Sequence, residues 1–243
     1  MKIPKIIHQI YEDLAGPPTS LLKIAESWRE LNPDWEYRFW NKNDIEVFLK
    51  EYYPELIEKY NAFPYNVQRW DAIRYLILYK LGGLYVDMDY ECTENITALF
   101  CNVECAMGLE PFGNLVRTPL PYIVGNAFMA TIPRHPYFAE LINEVFNKYI
   151  DVHKYEYVDE LIVNTTGSYM TTYVYDKSKY KDSVALIPGE LVAPLNQHEI
   201  QKVMQGCTSK FIRNKIEHSF AIHYFFNSWT NQTKRVVNSF DGK

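Results

Sequence analysis

The segment from Val67 to Asp89 limits the possible folds more than any other part of the chain. Apolar residues recur at Val67, Trp70, Ile73, Ile77 and Leu81, which is helical spacing. Gly82-Gly83 then ends the helix as a C-cap. Leu84-Tyr85-Val86 follows as a short buried strand, and two carboxylates, Asp87 and Asp89, start where it stops. Strands alternating with helices make an α/β layer with a largely parallel sheet. Ligands of such sheets bind beyond the carboxyl ends of strands, which is where Asp87 and Asp89 stand.

The rest of the chain supports that layer. Strands are predicted at Ile6 to Tyr11, Glu36 to Trp40, Ala106 to Leu109, Ala127 to Thr131, Val184 to Pro188 and Ala221 to Phe225. Helices are predicted from Thr19 to Leu31, from an Asp44 cap to Tyr53, from Pro136 to Tyr149 and from Ser168 to Tyr175. The 243 residues, 47% of them hydrophobic, suit one large domain over 1–243 with a sizeable core. No repeat or linker interrupts it. Aromatics make up 16%, and such rings fill cores but also stack on sugars and bases. Tyr11, Trp35 and Trp40 are assigned to the core.

The net charge of -5 argues against non-specific nucleic-acid binding, which needs a positive surface along the phosphates. An anionic nucleotide can still bind such a protein through a bridging cation. The four cysteines, Cys92, Cys101, Cys105 and Cys207, lack zinc-site spacing and are expected to be reduced and mostly buried in a cytosolic protein. The opening residues are too short and polar for a signal-peptide core. No run is long and apolar enough for a membrane helix.

Two like charges as close as Asp87 and Asp89 repel, and a divalent cation resolves the conflict. Hard oxygen donors suit Mg²⁺ or Mn²⁺, with phosphate oxygens completing the shell. D-x-D alone is also what an acidic turn at a strand end looks like. Asp71 and Arg74 lie i and i+3 on the strong helix. At a surface they would be a weak ion pair, but their apolar neighbours call for a buried role. Hydrogen bonding to sugar hydroxyls is one such role, since Arg donates and Asp accepts. A lone His223 among Ile222, Tyr224 and Phe225 is more often a hydrogen-bonded core residue than a ligand.

The block RWDAIRYLILYKLGGLYVDMD, Arg69 to Asp89, resembles the glycosyltransferases that share a D-x-D sugar-binding region. That group includes yeast initiating α-mannosyltransferases, bacterial capsule transferases and, distantly, the clostridial glucosylating toxins. Lys2 to Gln9 resembles the family's opening strand. Trp28 with Asn32 to Trp35 and Phe39-Trp40 resembles its second block, and His223 with Ser228-Trp229 its closing block. One departure is Thr166-Gly167-Ser168, where the family often has Thr-Gly-Pro.

The resemblance implies a GT-A fold, a single Rossmann-like, mostly parallel sheet flanked by helices. It implies a nucleotide-sugar donor, Mn²⁺ (or Mg²⁺), and a hexose transferred with retention of configuration. Asp87, Asp89 and His223 would hold the metal, and His223 would favour Mn²⁺. Asp71 and Arg74 would hold the transferred sugar, with Asp87 nearby, and Asn126 would contact it too. Ile7, His8 and Gln9 would line the base pocket, and Ser228 and Trp229 would lie over the diphosphate. By analogy the donor is expected to be a UDP-sugar, and the acceptor a surface or capsular glycan on a lipid carrier. The expected location is the cytoplasm, and Lys234-Arg235 leaves peripheral contact with the inner face of a membrane open. Two rival readings remain. A haloacid-dehalogenase-like phosphohydrolase would carry its D-x-D on the first strand, with Thr or Val where Glu91 stands. The other rival is an inactive carbohydrate-binding protein. No P-loop is present.

Overall fold

A computed structural model of the chain describes residues 1–12 and 15–226. β1 (Ile6–Ile10) leads to α1 (Thr19–Leu31), β2 (Glu36–Trp40) and α2 (Lys42–Tyr52). The cap of α2 is Asn41 and not Asp44. Asn41 accepts from the Asp44 amide while the Asp44 carboxylate takes the Asn41 amide, a reciprocal capping box. A short α3 (Ile57–Asn61) precedes α4 (Asn66–Leu81), β3 (Gly83–Val86), β4 (Tyr90–Cys92), β5 (Cys105–Leu109) and β6 (Val124–Thr131). Then come α5 (Pro136–Asn147), α6 (Val158–Thr165), α7 (Ser168–Lys177), β7 (Ala185–Ile187), α8 (Gly189–Val192), α9 (Gln197–Met204), α10 (Lys210–Glu217) and β8 (Ala221–His223).

Six strands form the main sheet in the order β2-β1-β3-β6-β5-β7. β2, β1 and β3 pair in parallel, as do β5 and β7, while β6 runs against both β3 and β5. The sheet is therefore mostly parallel with one reversed strand, as expected for the GT-A arrangement. The last strand departs from expectation. β8 leaves the main sheet and pairs antiparallel with β4, setting Tyr90 opposite His223.

α4 explains the sheet's centre. Nine of its residues are buried, so it is covered nearly all round. Gly82 and Gly83 turn it into β3 with φ of 67° and 98°. A Cβ on Gly83 would come within 2.6 Å of the Ile6 carbonyl, so both conformation and space require glycine. Strand alternation sorts β3 between the two cores. Leu84 and Val86 join Trp28 and Phe128 on one face, whereas Tyr85 joins Ile73 and Ile77 of α4 on the other. Asp87 continues the β3–β6 ladder, its amide bonded to the Ala127 carbonyl at 3.0 Å. It therefore emerges on the α4 face, like Tyr85.

Cys92 and Cys105 are buried, but Cys101 and Cys207 are exposed, against the expectation of mostly buried thiols. No helix among the described residues is long and apolar enough to cross a membrane.

Candidate active site

The turn carrying Asp87 and Asp89 is fixed from both sides. Gln9 Nε2 donates to the Asp87 carbonyl at 3.0 Å, and Tyr37 holds the Gln9 amide oxygen at 2.7 Å. From the other side the Tyr224 amide bonds to the Asp89 carbonyl at 2.9 Å. The Phe226 amide reaches Asp89 Oδ2, also at 2.9 Å. The β4–β8 pairing brings His223 in, with its ring stacked on Tyr90 at 4.3 Å and its Nε2 3.3 Å from Asp89 Oδ1. Asp87, Asp89 and His223 each offer a ligand atom within 4.8 Å of the others.

Behind them stands a buried pair. Arg74 lies 3.2 Å from Asp71 and 3.0 Å from Asp87, and its guanidinium covers the Tyr85 ring at 4.6 Å. It also donates to the carbonyls of Trp70 and Asn126. Asp71 accepts the Asn126 amide at 2.9 Å and the Thr166 hydroxyl at 2.8 Å. The Tyr85 hydroxyl donates to Asp87 at 2.6 Å. Every polar group of this pair thus has a partner, as a buried charge requires.

The charges tune one another. Burial pushes Asp71 up to about 6, although Arg74, Thr166 and Asn126 pull it down. Burial also raises Asp87, with Arg74 opposing and Asp89 reinforcing the rise. Burial acts on Asp89 in the same direction, but His223 and the Phe226 amide outweigh it and hold that carboxyl below its usual range. Burial would lower His223, yet Asp89 raises it. Three carboxylates therefore share one guanidinium and one imidazole. That acidic surplus, with ligand atoms already converged, fits a divalent cation.

The cleft at this site measures about 1730 Å³, more than one small ligand needs. Asp71, Arg74, Asp87, Asp89, Asn126 and His223 all line it. Ile7, His8 and Gln9 are buried within β1, and the cleft's β1 wall starts at Ile10. His8 is structural. Its Nε2 pairs with the Gly82 carbonyl at 2.9 Å and its Nδ1 with the Trp40 indole at 3.1 Å, and burial takes its pKa to about 4. Trp35 and Trp40 are core residues, but Tyr11 lines the cleft. Ser228 and Trp229 lie outside the described residues. Sequence reasoning missed Thr166 and Tyr85 as partners of the carboxylates. Tyr85 could have been found, since it stands two residues before Asp87 on one strand face.

Residues 18–105 match the family model described as the glycosyltransferase sugar-binding region containing a DXD motif. The chain is 32% identical over 177 residues to inositol phosphoceramide mannosyltransferase 2 of Schizosaccharomyces pombe, covering 73% of this chain and 47% of that protein. It is 32% identical over 187 residues to mannosyl phosphorylinositol ceramide synthase SUR1 of Saccharomyces cerevisiae, covering 73% and 43%. It therefore spans less than half the length of these two relatives. The uncharacterized glycosyltransferase L373 of Acanthamoeba polyphaga mimivirus is 27% identical over 246 residues, covering 99% of this chain and 89% of that one. The PaToxG glycosyltransferase superposes with a TM-score of 0.53 over 90% of this chain and 89% of its own, at 14% identity, which shows a common fold. Residues 18–105, with Asp71, Arg74, Asp87 and Asp89, are the DXD-containing sugar-binding region of that glycosyltransferase family, set in a GT-A fold.

Proposed function

We propose that this protein transfers a hexose from a nucleoside-diphosphate sugar to a hydroxyl of a lipid-linked acceptor. One observation carries the reading: Asp87, Asp89 and His223 converge beside a buried Asp71–Arg74 pair within one cleft. A divalent cation held by that trio would neutralise the diphosphate oxygens and the charge that grows on the leaving group. Arg74 and Asp71 orient the sugar through their remaining hydrogen-bonding capacity, and Asn126 keeps Asp71 in place. The names of the two yeast relatives favour mannose as the sugar and an inositol phosphoceramide-like head group as the acceptor. The uridine expectation has no observation of its own in the cleft.

Retention of configuration proceeds, on this reading, by attack from the leaving-group side. A double displacement would need a free carboxylate on the opposite face of the sugar. Asp71 is the sugar-side candidate, and both its oxygens already accept hydrogen bonds, from Asn126 and from Thr166. It is therefore better suited to positioning than to nucleophilic attack.

The test is a panel of nucleotide-hexoses with and without Mn²⁺, read as release of nucleoside diphosphate. At least one donor should be turned over in a metal-dependent way. Asp89→Ala should lose on the order of a thousandfold while its melting transition persists. No metal-dependent release from any donor would end this reading. Phosphate release from simple phosphoesters would replace it with a phosphohydrolase.

A further inference from the structure

Three carboxylates that line the cleft, Glu12, Glu46 and Glu110, have no part in the chemistry above. Glu12 follows the end of β1 and lines the cleft together with Tyr11, Tyr60 and Trp70. Its Oε2 accepts the Trp70 indole N–H at 2.6 Å, and its Oε1 accepts the Tyr60 hydroxyl at 3.2 Å. Asp71, Asp87 and Asp89 each have a basic partner. Among the described residues no basic side chain pairs with Glu12, and two neutral donors hold it by one oxygen each.

That arrangement fixes the carboxylate without neutralising it. A carboxylate offers about four lone-pair sites, and the two bonds use one on each oxygen. What remains is a planar, charged, two-pronged acceptor among aromatic rings. Its complement is a flat ring with two adjacent N–H donors on one edge. Among the common nucleobases only guanine has this edge, in N1–H and the exocyclic amine. Uracil presents one N–H between two carbonyl oxygens, and a carboxylate repels those oxygens. Adenine and cytosine each place a ring-nitrogen acceptor beside their amine. The Tyr11 and Trp70 rings supply surfaces on which a base can stack.

We propose that Glu12 reads the donor's base and selects guanine, with Trp70 and Tyr60 as the residues that orient it. The inference rests on the cleft being a nucleoside-diphosphate-sugar site, and it names the base of that donor. α4 then serves both ends of the donor. Trp70 sets the base reader, and the next residue, Asp71, begins the sugar-side pair. A ribose diol could also meet a carboxylate, but the aromatic surroundings favour a flat ring.

The experiment is calorimetric titration of GDP, IDP and UDP in the presence of Mn²⁺, with wild type and Glu12→Gln. IDP lacks only the exocyclic amine of guanine. Wild type should bind GDP about tenfold or more tightly than IDP, and more tightly than UDP. In Glu12→Gln that discrimination should collapse, leaving the three nucleotides within a few-fold of one another. Tighter binding of UDP than GDP by wild type would overturn the assignment, even if the variant does not fold. Equal weakening of all three by Glu12→Gln would overturn it too, since Glu12 would then serve the ribose or the fold. If wild type binds none of the three with Mn²⁺, the donor-site reading itself falls and takes this inference with it.

Discussion

The cleft is lined by two sets of elements built in different ways. One set is α4 with β3 and the start of the turn beyond it. Its central ion pair is nearly closed off, Arg74 at 7% and Asp71 at 5% exposure, and each has several partners. The other set is the 3-10 turn Phe112–Arg117, the residues around Ser168 and helix α9. Here Gly113, Asn114 and Gln201 line the cleft, and the contacts are local caps, such as the reciprocal box between Asn196 and Glu199. The first set sits in the sheet's core and cannot shift without cost to the fold. The second is loop and short helix, where a change of side chain disturbs little else. The expectation is that donor chemistry rests on the first set and acceptor choice on the second.

The sharpest way to break that contrast is Arg74→Lys. The charge survives, but an ammonium cannot serve Asp71, Asp87 and two carbonyls at once. Activity should fall on the order of a hundredfold, in keeping with about 3 kcal/mol for damage to a buried pair. Turnover kinetics beside a thermal melt would measure it. Unchanged kinetics would mean that the buried pair only supports the fold.

The same contrast decides what could be read from the sequence. The helix, the glycine pair, β3 and the two carboxylates are local, so spacing and strand position expose them. Asp71 and Arg74 are legible because charges in so apolar a helix demand a use. His223 is different. Only the β4–β8 ladder brings it to Asp89, and spacing cannot show pairing between segments so far apart. Helices α3, α6, α8, α9 and α10 escaped notice because none is longer than eight residues. Glu12 escaped because its partners, Tyr60 and Trp70, come from other elements.

Acidity sharpens the comparison further. Burial takes the Asp71 pKa to about 6. Above that pH the carboxylate is charged and paired with Arg74, and below it the pair is lost. The kcat/KM profile should therefore fall by roughly tenfold per pH unit below about 6. Asn126→Ala removes a hydrogen bond that pulls this pKa down, so the break should move to higher pH. A profile flat to pH 5 in wild type, or a break that stays put in the variant, would disconnect Asp71 from activity.

The smallest effect is expected on the other set. Gln201→Ala, at an exposed position of α9 that lines the cleft, should leave stability within about 0.5 kcal/mol and donor affinity unchanged, while the KM for acceptor rises. Isothermal titration with donor and kinetics with varied acceptor would separate the two. A loss of donor affinity would erase the division between the two sets.

The two-stranded ribbon of β4 and β8 has a consequence for the order of assembly. During synthesis Tyr90 leaves the ribosome long before His223, with more than half the chain between them. The ribbon cannot close until nearly all the other described elements exist, and such distant pairings form late because loop closure comes first. Capture of an ion by the full trio would thus be a late folding event. Because the ion would bind the finished fold better than the open chain, it would latch the two distant segments and raise the stability of everything between them.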